Sequence, residues 1–516
     1  MTNNLRFLIL AVLIFLLGHL SFSQVLTKIT ISGNKQVSNE KLLTLIKSRW
    51  HTKLDTIQVE TDRKVIENFY FEEGFLEARC QAISTFDKKL KSVSINFEIF
   101  EGSVYKFGSI EIEGTKLLKK DFVYKLINIF PGERFSRDKI IKSQIRAFST
   151  GLFKDIEIKA KNIDSDLKKI SVIIYANEKK RYAADIGYGI DTEDGMKLFF
   201  EWKNRNFNGK GTGISLTALS SIDYINDLYY KRGNFGIGFT DPYLFYLPVE
   251  WRLQLLYNSD KPKYVNFGIE NYTAETIFGH QLSLVDEITL RLRIQNDRIF
   301  NATFQTEHKE FINVFRVDDN RFIGIMYEHD QRDDLIDPSS GLYFNVMIEK
   351  AGGFLGGRNS FVKVISNLQN YYNVFRLLVL ANKITLGSIE SGQQEPIPSY
   401  LRLFMGGSGS LRGFPERSVG PKNTDGSAQG GRFLFLNNLE LRYYLSYAFN
   451  IVTFFDVGNI WVKRTAATIN SLNYSTGLGF RLRTKFGFFR LDFGLRLNEF
   501  PEKYIGKLHF GFGQTF

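Results

Sequence analysis

A chain of 516 residues exceeds one ordinary domain and leaves room for about two to four. Its 43% hydrophobic and 24% charged residues resemble a soluble protein, but 48 Phe, 24 Tyr and 43 Gly, with an aromatic share of 15%, do not. The net charge of +12 is scattered, which argues against a nucleic-acid partner, and a single cysteine, Cys80, excludes an intrachain disulfide. High Phe, Tyr and Gly without a long apolar run beyond the N-terminus is the composition of membrane-crossing strands. Lipid-facing and lumen-facing residues alternate along such strands, so mean hydropathy stays low. Lumen-facing Arg and Lys, with anionic lipid headgroups, account for the charge.

Residues 1–23 read as a signal peptide. Met1 to Arg6 carries one cation, Phe7 to Leu20 is apolar, and Ser21-Phe22-Ser23 supplies small residues at the expected cleavage point after Ser23. The competing reading is a membrane anchor, but the run falls short of the roughly 20 residues that span a bilayer. No cysteine lies near the site, which argues against a lipoprotein.

Residues 24 to about 180 contain an internal repeat, with copies at 24–101 and 102–180. In the first, Ile29 and Ile31 alternate before Gly33-Asn34; in the second, Ile110 and Ile112 alternate before Gly114-Thr115. Helical spacing follows in both: Val37, Leu42, Leu45 and Ile46 match Leu118, Val123, Leu126 and Ile127. A second helix ends in Phe71-Glu72-Glu73-Gly74-Phe75 in one copy and Phe148-Ser149-Thr150-Gly151-Leu152-Phe153 in the other. Glycine suits a helix C-cap there. Two strands close each copy, near 77–86 and 91–100, then 154–161 and 168–177; Cys80 reads as a small buried residue on the first of these. The order β-α-α-β-β and the aromatic-flanked glycine resemble the POTRA (polypeptide-transport-associated) domain.

After Lys179-Lys180-Arg181 helical periodicity stops and short alternating segments run to Phe516. Leu478, Phe480 and Leu482 alternate with Gly479, Arg481 and Arg483; Phe489, Leu491, Phe493 and Leu495 alternate with Arg490, Asp492, Gly494 and Arg496. One face is apolar and the other carries charge and glycine, which fits lipid outside and a hydrated lumen inside. A sheet in lipid cannot leave an edge unpaired, so it must close. Sixteen candidate strands are expected between about 181–190 and 506–516, including 196–205, 432–444, 450–457 and 473–484. If the first strand starts on the side of the repeats, the turns Asn206–Gly211, Asp241–Pro248 and Arg332–Gly341 share that side. The long connections 298–319, 390–431 and 458–472 then share the other. The predicted fold class is α+β POTRA repeats followed by an all-β, sixteen-stranded antiparallel transmembrane barrel over 181–516.

The connection 390–431 contains Met405-Gly406-Gly407-Ser408-Gly409-Ser410-Leu411-Arg412-Gly413-Phe414. A flexible surface loop is the bland reading, but such a loop has little use for Leu, Arg, Gly and Phe together. If it folds inward, Arg412 can meet a carboxylate in bidentate geometry. Two candidates follow: Glu440 in Asn437-Asn438-Leu439-Glu440-Leu441-Arg442 and Asp456 in Phe454-Phe455-Asp456-Val457-Gly458-Asn459. Each has apolar neighbours on both sides and can point inward while they face lipid.

These residues resemble the BamA/TamA superfamily of outer-membrane assembly and translocation proteins. Leu411-Arg412-Gly413-Phe414 is similar to that family's Arg-Gly-aromatic loop motif, Asp456-Val457-Gly458-Asn459 to its thirteenth-strand motif, and Glu440 to its twelfth-strand acidic position. Asn204-Arg205-Asn206-Phe207-Asn208-Gly209-Lys210-Gly211 and Phe239-Thr240-Asp241-Pro242 resemble its first two periplasmic turns. Asp330-Gln331-Arg332-Asp333, with Pro338 and Gly341, resembles a further hairpin. The resemblance implies an outer-membrane barrel with POTRA domains in the periplasm. It implies a loop latch of Arg412, Gly413, Phe414, Glu440 and Asp456. It also implies a lateral gate between first and last strands, marked by Gly187, Gly189 and Phe516, since glycine weakens strand pairing.

Six dispersed histidines (19, 51, 280, 308, 329 and 509) show no metal-ligand spacing, and no nucleophile elbow or phosphate loop is present. Asp333-Asp334 reads as a turn. No enzymatic activity, cofactor, metal or nucleotide is expected. The expected function is assembly and insertion of outer-membrane proteins: POTRA domains receive unfolded clients, which enter the membrane through the barrel seam. The alternative is a polypeptide-translocating pore of the two-partner secretion type, against which the first repeat begins too close to the cleavage point for a plug helix. A passive channel is a third reading, disfavoured by the repeats. Implied partners are unfolded outer-membrane or secreted polypeptides and outer-membrane lipids. Periplasmic chaperones or an inner-membrane-spanning partner are further candidates.

Overall fold

The computed structural model describes residues 25–87, 92–223, 229–262, 265, 267–300, 317–392, 397–484, 487–498 and 506–513. The expected signal peptide and Phe516 lie outside them. The chain divides into two compact units, Met1–Lys179 and Lys180–Phe516.

In the first unit the first copy runs β1 (Val25–Ser32), α1 (Asn39–Leu45), β2 (Thr52–Lys53), α2 (Thr56–Glu72), β3 (Arg79–Asp87) and β4 (Ser92–Phe100). The second runs β5 (Lys106–Glu113), α3 (Lys120–Ile127), α4 (Arg137–Ser149), β6 (Phe153–Asp164) and β7 (Lys169–Glu178). The β-α-α-β-β order holds in both, with the two-residue β2 as an addition in the first. β1 lies parallel to β4, and β5 parallel to β7, so each helix pair sits within the connection between parallel strands. Side chains start the helices where the sequence supplies an acceptor. Ser38 accepts the Lys41 N–H, and Asp55 those of Ile57 and Gln58. Gly74 and Gly151, which follow α2 and α4, have φ of +89° and +70°. Leu42, Ile66, Tyr70, Ile95 and Phe97 are fully buried between the helices and sheet of the first copy.

One carboxylate recurs at the end of each copy. Glu101, nearly buried just after β4, accepts the backbone N–H of Lys35 (2.8 Å) and Gln36 (2.9 Å) and the Tyr70 hydroxyl (2.9 Å). Glu178, the last residue of β7, accepts the N–H groups of Lys116 (3.0 Å), Leu117 (2.9 Å) and Leu118 (2.9 Å). Each ties the final strand to the turn after the first. The copies also meet directly. Tyr105 N–H donates to the Gly74 carbonyl at 2.9 Å, Lys168 Nζ lies 2.5 Å from Glu77 Oε1, and the Arg134 guanidinium packs 4.7 Å from the Phe75 ring centre.

The second unit is a closed barrel of antiparallel strands. They are β8 (Tyr182–Asp191), β9 (Gly195–Asn204), β10 (Gly213–Asp223), β11 (Tyr229–Asp241), β12 (Glu250–Asp260), β13 (Gly268–Gln281), β14 (Asp286–Phe300) and β15 (Val317–Asp330). There follow β16 (Gly341–Ala351), β17 (Phe361–Phe375), β18 (Leu378–Glu390), β19 (Phe433–Tyr444), β20 (Phe449–Trp461), β21 (Asn473–Thr484), β22 (Gly487–Arg496) and β23 (Gly506–Gly513). The sixteen-strand expectation holds. Leu478, Phe480, Phe493 and Leu508 face outward, whereas Asp456, Ser475, Asp492 and His509 are fully buried inside. One rim carries the short connections 205–212, 242–249, 282–285, 331–340, 376–377 and 445–448, including all three expected tight turns. The other carries 391–432 and 462–472, while the expected connection 298–319 falls largely outside the described residues. One boundary is corrected. The expectation ended a strand at Val457 and gave 458–472 to a connection. β20 continues to Trp461 because Gly458 is paired on both flanks, with Leu436 of β19 and Asn473 of β21.

Two outcomes test this packing. Glu101→Ala leaves two backbone N–H groups without their acceptor and should destabilise the first copy by about 1–3 kcal/mol. Amide exchange at Lys35 and Gln36 should rise with it, and unchanged exchange would contradict the assigned role. Cys80 is buried on β3, and burial pushes its thiol up to about 11. It should resist thiol reagents at pH 8 in the folded protein and react on unfolding; labelling of the folded chain at the rate of a free thiol would refute its core position.

Candidate functional site: the inward loop and the barrel seam

In the connection between β18 and β19, residues 403–431 form a hairpin. Leu403 bridges Gly431 and Met405 bridges Val419, so the segment doubles back on itself. At its tip Gly407 N–H donates to the Phe414 carbonyl (3.1 Å), Ser410 N–H to Gly407 (3.1 Å), and Gly406 N–H to Ser410 Oγ (2.9 Å). Leu403, Met405, Leu411, Phe414 and Val419 pack with Phe322, Phe361, Leu434, Leu436 and Ile460 in one buried apolar cluster. Burial of these side chains folds the loop inward and rules out the reading as a flexible surface loop.

This packing carries Arg412, 4% exposed, to the charged face of β19 and β20. Its Nε and Nη2 donate to the two oxygens of Asp456 at 2.8 and 2.7 Å, and its backbone N–H adds a third bond to Asp456 at 3.1 Å. Nη1 donates to Glu440 Oε1 at 2.6 Å, and the guanidinium lies 3.6 Å from the Phe454 ring centre. Asp456 is fully buried and Glu440 nearly so. Such an arrangement holds only because each charge finds an opposite charge and well-directed hydrogen bonds.

The neighbouring motif residues join the same site. Gly413 has φ of +89°, and its N–H faces His509 Nε2 at 3.4 Å while its carbonyl accepts Arg496 Nε at 2.9 Å. A Cβ added to Gly494 on β22 would lie 2.5 Å from Gly413 N, so the two backbones pass too closely for either residue to be larger. Phe414 is buried with the Arg496 guanidinium 4.8 Å from its ring centre. The structure therefore brings Arg412, Gly413, Phe414, Glu440 and Asp456 together.

Three further residues complete the cluster. Asn438 Nδ2 donates to Asp456 Oδ1 (2.8 Å) and to the Ser410 carbonyl (2.7 Å), fixing loop and strand at once. Arg442 donates to Glu440 Oε2 at 2.9 Å and lies 3.5 Å from Asp337. The chain Arg412–Glu440–Arg442–Asp337 thus runs from the loop tip to the hairpin after β15. There Asp333 accepts the N–H groups of Ser339 (2.9 Å) and Ser340 (3.1 Å), and Asp334 those of Ile336 (2.7 Å) and Asp337 (3.0 Å), a turn as expected. Asn438 and Arg442 share the parity of Glu440, which was their one signal in the sequence.

The closing seam lies between β23 and β8. Among the described residues it is registered at Gly511–Asp191, Phe512–Ile190 and Gly513–Gly189. On its other edge β8 pairs with β9 along its whole length, from Tyr182–Asn204 to Asp191–Gly195. Gly187 pairs with Phe199 of β9, and Gly189 pairs with both Lys197 and Gly513. Among the described residues, no group of three or more His, Cys, Asp or Glu is placed to hold a metal ion.

Comparison with known proteins agrees with this architecture. A model of the Omp85 superfamily domain matches residues 206–516, and one described as a surface antigen variable number repeat, the POTRA model, matches 25–102 and 105–179. The outer membrane protein assembly factor BamA of Nitratidesulfovibrio vulgaris is 24% identical over 520 residues, covering 95% of this chain and 62% of that protein. This chain therefore spans less than two-thirds of that relative. Among solved structures, BamA from Haemophilus ducreyi lacking POTRA domains 1–3 superposes with a TM-score of 0.68 at 18% identity, covering 95% of this chain and all of that one. CdiB from Acinetobacter baumannii superposes with a TM-score of 0.56 at 11% identity, covering 95% and 90%. With the barrel model on its C-terminal unit and the repeat model on both N-terminal copies, the chain belongs to the Omp85 superfamily, as an outer-membrane β-barrel with periplasmic POTRA domains.

Proposed function

We propose that the chain assembles and inserts outer-membrane β-barrel polypeptides, receiving them unfolded at the POTRA domains and passing them into the membrane through the seam between β8 and β23. The seam carries this reading: β8 and β23 are the first and last strands of the closed barrel and meet there with no connection between them. An opened strand edge offers backbone N–H and C=O groups that hydrocarbon cannot satisfy. A client strand added to that edge satisfies them, and the client's own folding drives the step. Gly187 and Gly189 mark β8 as the weaker edge. The kinship with an assembly factor over 95% of the chain supports the same reading.

A route through the lumen is less favoured. It would require displacing the buried cluster of Leu403, Met405, Leu411, Phe414 and Val419 together with the Arg412 ion pairs. The fold likeness to CdiB keeps a secretion pore as the competing reading. Depletion of the protein in its own cell followed by outer-membrane proteomics separates the two. Broad loss of barrel proteins is expected; loss of one secreted polypeptide with normal barrels would overturn insertion.

In this mechanism Arg412, Gly413, Phe414, Glu440 and Asp456 latch the loop inside. Removing one partner of a buried ion pair leaves the other uncompensated, a cost of about 3–5 kcal/mol. Arg412→Ala should lower the thermal midpoint of the barrel by that loss and reduce client assembly. Arg412→Lys should fall between, because an ammonium cannot make the paired contacts to Asp456. An Arg412→Ala barrel that melts and functions like the parent would count against the latch.

A further inference from the structure

The loop reaches beyond β19 and β20. Arg417 Nη2 lies 3.1 Å from Asp260 on β12, and Glu416 Oε2 lies 2.9 Å from Lys231 on β11, whose side chain is fully buried. Residues 408–417 therefore stretch from the wall that holds Arg412 to the wall that follows β8, and the seam lies between those walls. Glu193, in the tight connection between β8 and β9, stands where these elements converge. Its Oε1 accepts the backbone N–H of Ser408 in the loop, and its carbonyl accepts Lys231 Nζ. The same Oε1 lies 3.3 Å from Nδ1 of His509, a fully buried residue of β23. Gly413 N–H points at His509 Nε2, which leaves Nδ1 as the nitrogen that faces Glu193, in electrostatic contact with its carboxylate. The connection is itself rigid, since Asp191 Oδ1 accepts the N–H groups of Glu193 (2.8 Å) and Asp194 (2.6 Å).

We infer that Glu193 is a clasp that holds the seam shut, a positioning residue that fastens the β8–β9 connection to His509 on the opposite strand and to the loop. This rests on the reading that the seam is the part that opens. The Arg412 contacts are all made to β19 and β20, on one side of the seam. The Glu193 side-chain contacts to His509 and to Ser408 cross it, so they must break whenever β8 and β23 separate, while those of Arg412 need not. The loop then stays with the β19–β20 wall as the seam opens, and its Arg417–Asp260 and Glu416–Lys231 pairs part along with the Glu193 contacts.

Hydrogen exchange followed by mass spectrometry on the full chain in lipid bilayers tests the clasp. Glu193→Ala should speed exchange in segments 182–192 and 506–513 about tenfold, the scale of a lost charge-assisted hydrogen bond. Segment 449–461, which holds Asp456, should be unchanged, and Glu193→Gln, which keeps an acceptor oxygen but loses the charge, should exchange at a rate between those of the parent and Glu193→Ala. Unchanged seam exchange in Glu193→Ala would overturn the clasp, as would an equal rise throughout the barrel. Insertion is judged separately by the outer-membrane proteome. A faster seam whose depletion spares the barrel proteins would keep the clasp and remove the insertion reading.

Discussion

Hydrocarbon offers no partner to a backbone N–H or C=O, and from that follows most of this structure. The sheet must close, so the last strand has to meet the first, and the sixteen antiparallel strands form a barrel. Closure makes the junction of β23 and β8 different in kind from the others. Neighbouring strands elsewhere are joined by a covalent connection, but these two are held by pairing and side chains alone. A barrel that must open somewhere opens there at least cost.

The same closure creates an interior with no core of its own. Inward residues of the strands are polar, which suits water, yet the β18–β19 connection brings an apolar cluster into that space. The charges are arranged around it. Arg412 would be costly to bury alone, and Asp456 equally so; facing each other, with Glu440, Asn438 and Arg442 completing the set, they satisfy one another. Because ion pairs depend on direction, they hold the loop in one orientation where apolar packing alone would allow several. The loop thereby links both walls flanking the seam.

The POTRA copies obey a different constraint. They fold in water, so each buries one helix pair against one sheet face and leaves the other face to solvent. Their shared carboxylates, Glu101 and Glu178, act locally, tying the last strand of each copy to its first turn. The direct contacts between copies, through Glu77, Phe75, Arg134 and Lys168, hold the pair as one unit.

Period and parity were legible from the sequence alone. The repeat of Ile29 and Ile31 as Ile110 and Ile112 revealed two similar units. The alternation of Leu478, Phe480 and Leu482 with Arg481 revealed which face meets lipid. Arg412, Glu440 and Asp456 stood out as charges at inward positions or in an unusual loop, and the family resemblance joined them. Asn438, Arg442 and Glu193 did not stand out, and residues 458–461 were assigned to a connection although β20 runs through them. Glu101 and Glu178 were equally silent as acceptors for a turn some sixty residues earlier. The physical reason is common to all of these. Alternation along a strand reports the face a side chain takes, because the backbone sets that locally. Which inward side chains meet across the lumen, and how far pairing carries a strand, depends on closure and on the path of the loop, and those are set only when distant strands come together.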